Sequence, residues 1–385
     1  MQIPSDDQKR RVGEAYRAGR PIRVPVALGV NPRVVLLDPA WNTGGWTFED
    51  YWRDARVTIE VQLKFLEYKV TYLSRFCDEP ADWPETFAFY VDVQNVYDSA
   101  YFGAPVRFQE GQVPDAAPVY DGDRREHIFD VEIDHPMDNP FVRETLRRYE
   151  ELKKAAAGVS FHGVALAVAP PLWNFDGPLT IATNVRGGDV YADLRGDPEY
   201  VERLLDFITR GVTIRNRAMH EHFGRKAFDG PRGGMADDSV QLISTEMYRR
   251  QVLPLHRRYL SEWSVEGPHS MHLCGDATRH FPLIRDELNV RTFDTGFPVD
   301  HGALRRELGG DVEILGGPDV MVLHDGSPQE VYERTRDILR SGVMDGGRFV
   351  LREGNNLPPQ CPEENLAAFY RAALEFGFYG DDDHS

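Results

Sequence analysis

Eight short segments of the chain carry apolar residues at strand spacing, and polar or glycine-rich stretches follow them. They fall at 23–28 (RVPVAL), 87–93 (FAFYVDV), 164–168, 240–243, 269–272, 290–293, 312–315 and 348–351. Their length and their β-branched and aromatic residues predict strands. Helical patterns lie between them, at 6–20, 48–76, 143–157, 198–223, from 245 onward, 278–288, from 328 onward, and 363–376. Asp197 before Pro198, and Ser327 before Pro328, supply an N-cap followed by proline at the first helical position. In 143–157 (RETLRRYEELKKAAA) acidic and basic residues recur four apart, as on a solvated helix face.

In the second half, strand and helix alternate every 20 to 45 residues or so, which implies a parallel sheet with helical crossovers. Eight such strands predict an α/β fold of the (β/α)8 TIM-barrel type, with an elaborated N-terminal region and loops. Residues 1–385 read as a single barrel domain. Within it, 104–158 is a polar, proline-bearing insertion and 380–385 (GDDDHS) a flexible acidic tail. No internal repeat, Gly-rich dinucleotide fingerprint or phosphate loop is visible.

Composition narrows the function classes. With 62 acidic and 44 basic side chains the net charge is −18, which argues against a nucleic-acid binder. No apolar run approaches the roughly 18 residues of a membrane span, and no secretory signal follows the charges of MQIPSDDQKRR. Three cysteines, Cys77, Cys274 and Cys361, are no disulfide framework and suit a reducing compartment. The expected location is cytoplasmic.

The richest chemistry lies in Met271-His272-Leu273-Cys274-Gly275-Asp276. Residues two apart on a strand face the same side, so His272 and Cys274 can reach one ligand, and imidazole with thiolate suits zinc. The plainer alternative is a buried thiol beside a hydrogen-bonded histidine. Asp237-Asp238 and Asp294 stand beside strand ends, where carboxylates do acid/base work or cap turns. Asp238 and Asp294 are the catalytic candidates. Asp92 and Asn95, at the end of the second strand, and Asn355, at the end of the eighth, are candidates for holding a polar substrate. Trp41 and Trp173 sit in loops placed to roof the barrel mouth, as an aromatic wall for a ligand or as a satellite cluster.

An ordered set of motifs resembles the uroporphyrinogen decarboxylase superfamily, closest to its branch of cobalamin-dependent methyltransferases. The set runs Pro178-Leu179-Thr180, Arg186-Gly187, Asp197-Pro198-Glu199, Ala236-Asp237-Asp238, Ser244-Thr245-Glu246-Met247-Tyr248 and His272-Leu273-Cys274-Gly275. It continues with Gly316-Gly317-Pro318-Asp319, Ser327-Pro328-Gln329-Glu330 and Leu357-Pro358-Pro359-Gln360-Cys361-Pro362. The resemblance covers 160–380 well and 10–110 loosely. It implies a barrel in which a His-x-Cys pair and a later cysteine hold zinc, and the zinc activates a thiol acceptor. His272 and Cys274 match the pair. Asn355 stands where the later cysteine is expected, which leaves Cys361, or an oxygen of Asp238, Asp294 or Glu353, as the third ligand. The decarboxylase branch is expected to carry several arginines after the first strand. Here Gly29-Val30-Asn31-Pro32-Arg33 has one, and Arg17-Ala18-Gly19-Arg20 precedes that strand.

The resulting expectation is a zinc-assisted methyltransferase that moves a methyl group between a corrinoid or methylated small molecule and a thiol. Its partners would be a small-molecule substrate and a corrinoid protein, with no nucleic acid and no membrane, in a monomer or homodimer. The alternatives are a metal-free decarboxylase acting on a porphyrinogen or other carboxylate through Asp238 and Asp294, and a non-catalytic binding barrel.

Overall fold

The structure, a computed structural model, describes residues 3–380. The expected acidic tail lies outside the described residues, except for Gly380. Seven strands carry the barrel. They are β1 (Thr86–Phe89), β2 (Ala165–Val168), β3 (Gly234–Ala236), β4 (His269–Leu273), β5 (Val290–Thr295), β6 (Glu313–Gly316) and β7 (Phe349–Leu351). β3 to β7 form one parallel sheet in sequence order, and β1 pairs with β2 in parallel.

Backbone bonds extend the larger sheet at both edges. Val26 makes a parallel bridge to Leu351, with Ala27 N donating to Leu351 O and Leu351 N donating to Pro25 O, each at 2.9 Å. At the other edge Ala236 N donates to Phe175 O at 2.9 Å, on the chain that leaves β2. The segment around Val26, first in the chain, brings the staves to the eight of a (β/α)8 barrel.

Register explains where side chains go. Met235, Met271, Phe293 and Ile314 are aligned across β3 to β6 and lie buried on one side of the sheet. The alternating set forms two interior layers. The lower is Gly234, Ser270, Thr292 and Glu313; the upper is Ala236, His272, Asp294 and Leu315. Barrel interiors are normally packed with bulky branched residues. Apart from Leu315, these two layers are polar or, at Gly234 and Ala236, small, and space remains within the barrel.

The helices begin where their capping residues say. Asp197 Oδ1 accepts from Tyr200 N ahead of Pro198–His222, and Ser327 Oγ accepts from Glu330 N ahead of Pro328–Ile338. Each such cap contributes about 1 kcal/mol. The closing helix is Glu363–Phe376.

Two expectations fail locally. The segment 240–243 is not a strand; it lies in a tight 3-10 turn, Asp238–Leu242, and the fourth stave is the preceding Gly234–Ala236. Val240 and Ile243 owe their apolar character to burial in the folded-back turn. The helical run 48–76 is interrupted. Phe48–Arg53 stops at Asp54, whose extended backbone and carboxylate cap a new helix, Ala55–Glu67. The run then widens at Tyr68–Tyr72 and tightens at Leu73–Phe76. The polar stretch 104–158 holds a short antiparallel pair, Val106–Arg107 with Asp115–Ala116, and the helix Pro140–Ala156.

Candidate active site

The site is built by strands that end in polar residues around a cavity of about 640 Å³. At the end of β3, Asp237 is fully buried and turns back. It accepts from Thr180 N and Thr180 Oγ1 at 2.8 Å, from Leu179 N at 3.3 Å, and shares a proton contact with His256 Nε2 at 2.9 Å. It thereby caps the helix Pro178–Arg186. Gly177, at φ +84°, has to be glycine, because a Cβ there would lie 2.3 Å from that of Asp237. With Asp237 committed to structure, the neighbouring carboxylates are not an acid/base pair. Only Asp238 reaches the cavity.

Asp238 Oδ1 accepts from the backbone N of Cys274 at 2.7 Å and stands 4.0 Å from His272 Nε2. His272 Nε2 lies 3.0 Å from Cys274 Sγ, and Nδ1 lies 2.9 Å from Asp294 Oδ2. One ligand atom each from Asp238, His272 and Cys274 falls within 4.8 Å of the other two, the one such group among the described residues. The set offers one oxygen, one nitrogen and one sulfur, each a ligand type that zinc accepts.

Charge around the cluster is organised by hydrogen bonds. Burial disfavours the imidazolium of His272, but the bonds to Asp294 and Cys274 outweigh it and push the ring up to about 11. Burial raises the Cys274 thiol, against the opposing pull of His272. The same Asp294 Oδ2 also accepts from Arg352 Nη1 at 3.0 Å, while Oδ1 has no protein partner. Arg352 also bonds Glu353 Oε1 at 2.8 Å. Glu353 is fully buried and accepts from Gly29 N at 3.0 Å, so it ties the end of β7 to the first stave. Burial pushes Glu353 up to about 7.

The other sequence-derived candidates divide. Asn95 and Asn355 line the cavity with the cluster. Asp92 does not line it. Its carboxylate accepts from Tyr51 Oη at 3.1 Å and from Gln94 N and Nε2, and Gln94 Oε1 then accepts from Arg33 Nε at 2.6 Å. Asp92 thus sets the orientation of Arg33, which does line the cavity. Trp41 packs edge-on against Tyr68 at 5.1 Å, and Trp173 stacks on Tyr97 at 6.0 Å beneath Arg215. Both tryptophans belong to packing clusters and are absent from the cavity wall. Cys361 is buried with its thiol on Leu323 O at 3.2 Å, and burial pushes that thiol up to about 12. It takes no part in the Asp238–His272–Cys274 group.

Several cavity residues were not anticipated: Arg33, Asp115, Asp176, Thr180, Asn184 and Arg352. Asp176 follows Phe175 on the chain that leaves β2, and Tyr97 Oη donates to it at 2.7 Å. Burial, and then the charge of Asp98, push its carboxyl up to about 7. A charged residue next to a strand end was the available signal for Arg352; Asp176 lies eight residues beyond the end of β2 and carried no such signal. Asp115 arrives from the inserted antiparallel pair, which no local pattern aims at the mouth.

The profile of the uroporphyrinogen decarboxylase (URO-D) family matches residues 96–376. A methylated-thiol–coenzyme M methyltransferase of Methanosarcina mazei is 32% identical over 203 residues, 51% of this chain and 51% of that protein. A uroporphyrinogen decarboxylase of Nostoc punctiforme is 25% identical over 206 residues, 52% of this chain and 55% of that protein. The chain therefore spans about half the length of these curated relatives. A solved methyltransferase structure from Methanosarcina mazei shares the fold. It superposes with a TM-score of 0.61 at 18% identity and covers 94% of this chain and 97% of that one.

Proposed function

This chain belongs to the uroporphyrinogen decarboxylase family, and on that premise we propose that it is a methyltransferase moving a methyl group from a corrinoid or other methylated donor to a small thiol. The observation that carries the reading is the group of one oxygen, one nitrogen and one sulfur ligand at the barrel mouth: Asp238, His272 and Cys274. The relative at 32% identity, a methylated-thiol–coenzyme M methyltransferase, supports it.

Zinc fits the cluster, with Asp238 in place of a second thiolate and a fourth position left for a substrate. When bound, it would lower the pKa of an acceptor thiol so that a thiolate is available at neutral pH. The protein's own groups do the rest. Asp294 holds the Nδ1 side of His272, which leaves Nε2 facing Cys274 and Asp238. Such a carboxylate behind a ligating histidine fixes the ring and raises its basicity. Arg352 holds Asp294 in turn. Arg33, Asn95, Asn184 and Asn355 present donors to the polar part of a substrate. A donor carried by a corrinoid protein would approach across the mouth. Free thiols at Cys77, Cys274 and Cys361 suit the reducing cytoplasm.

A second reading is favoured by Arg33 and Arg352 in the same cavity, since two guanidinium groups suit a carboxylate substrate. It is a decarboxylase using Asp238 and Asp294 as acid/base groups. Metal analysis of the purified protein separates the two readings. We expect one zinc per chain, lost in His272→Ala and in Cys274→Ala, and methyl transfer from methylcobalamin to 2-mercaptoethanol. A protein that takes up no zinc when supplied with it, and releases CO2 from a porphyrinogen, establishes the second reading.

A further inference from the structure

The lower interior layer of the barrel leaves a chamber that the mouth does not account for. Gly234, Ser270, Thr292 and Glu313 stand side by side in register one layer below Ala236, His272, Asp294 and Leu315. None of the four fills the lumen as a leucine or isoleucine would. The result is a cavity of about 660 Å³, also walled by Asn174, Arg232 and Trp263. Arg232 is half exposed at its rim, donates to Thr292 Oγ1 at 3.0 Å and stands 3.9 Å from Glu313. Four residues line both this chamber and the upper cavity: Asp176, Ala236, His272 and Asp294. Of the candidate metal cluster, His272 lines both cavities, while Asp238 and Cys274 line the upper one.

We propose that the lower chamber is a second entrance to the site, through which a small polar thiol reaches the cluster from the N-terminal face of the barrel. The inference rests on the methyltransferase reading for the identity of its ligand. Transfer of a methyl group is an in-line displacement. A sulfur lone pair forms the S–CH3 bond on one side of the carbon, while the donor–CH3 bond breaks on the other and its electron pair stays with the donor. With the donor placed at the mouth, the thiol belongs on the opposite side of the carbon, toward the lower chamber. The thiol proton leaves by the same route into water. The wall chemistry selects the tail. The hydroxyls of Ser270 and Thr292, the Asn174 amide and the Arg232–Glu313 pair hydrogen-bond a short polar group. The volume lies within the range of small-molecule sites.

Two measurements test this. The first reads the entrance without any metal: Ser270→Cys is treated with a small cationic methanethiosulfonate, and peptide mass spectrometry locates the label. Labelling of the folded protein at position 270 is expected; protection there closes the chamber and overturns the proposal. The second uses cobalt(II)-loaded protein titrated with 2-mercaptoethanol, following thiolate-to-cobalt absorption. Filling the lower layer with Ser270→Leu or Thr292→Leu is expected to weaken thiol binding about tenfold or more, with cobalt uptake unchanged. Thiol binding equal to that of the unaltered protein in both variants overturns the route. Failure of the unaltered protein to take up cobalt counts against the metal reading itself, and the labelling result then decides whether the chamber is an entrance.

Discussion

His272 Nδ1 lies 2.9 Å from Asp294 Oδ2, and these two residues, 22 apart in sequence, are held in register on adjacent parallel strands. The pairing orients the imidazole so that its other nitrogen faces Cys274 and Asp238. Everything proposed for the site depends on that orientation.

Replacing Asp294 with asparagine keeps the shape but removes the charge behind the ring. We expect metal affinity to fall by about 10- to 100-fold without being abolished. Competition against a chromogenic chelator reads this directly; an unchanged affinity would show that Asp294 does not support a ligand.

Cys361→Ser separates the two thiols that the sequence offered as partners of His272. Its sulfur contacts Leu323 O away from the cluster, so metal content should match the unaltered protein, whereas Cys274→Ser should lose most of it. Equal loss in both variants would place Cys361 among the ligands.

Stability should depend on pH through buried carboxyls. Burial raises Asp176 and Glu353 to about 7, against about 4 in an unfolded chain. Between those values the native state holds protons that the unfolded state has released, so stability falls as pH rises from about 4 to 7. Urea unfolding across that range should show the decline, and Asp176→Asn should flatten it while leaving the share due to Glu353. A stability that instead rises steadily across the window contradicts the assignment.

Asp98 and Arg215 form a fully buried ion pair at 2.6 Å, and Asp98 Oδ2 also accepts from Asp176 N at 3.0 Å. Asp98→Ala leaves the guanidinium uncompensated and should cost about 3–5 kcal/mol. Chemical denaturation measures it. A loss below about 1 kcal/mol, the scale of an exposed pair, would mean that the charge finds water.

Much of the barrel could be read from spacing. Staves at 290–295 and 313–316 emerged because each is a short buried run, and the helix from Pro198 emerged because Asp197 and Pro198 are local signals. The stave at 234–236 did not, because Gly234 and Ala236 lack the bulk that marks a strand, and that lack of bulk is what opens the lumen. Trp41 and Trp173 had two readings, an aromatic wall for a ligand or a satellite cluster, and their packing agrees with the second. An aromatic residue in a loop carries no record of which side it faces, and both turn into packing clusters.

The sequence by itself determined that His272 and Cys274 share a face, since that follows from the two-residue period of a strand. It determined the alternation of strands and helices and the position of their caps, which are local backbone chemistry. Only the tertiary structure decided which side chains stand beside the pair. Asp238 comes from another strand end and turns inward because Asp237 is consumed as a helix cap, while Cys361 is drawn to a carbonyl elsewhere. Those choices depend on hydrogen bonds between residues 36 to 58 positions apart. No pattern along the chain encodes such contacts; they arise when the barrel brings the strand ends together.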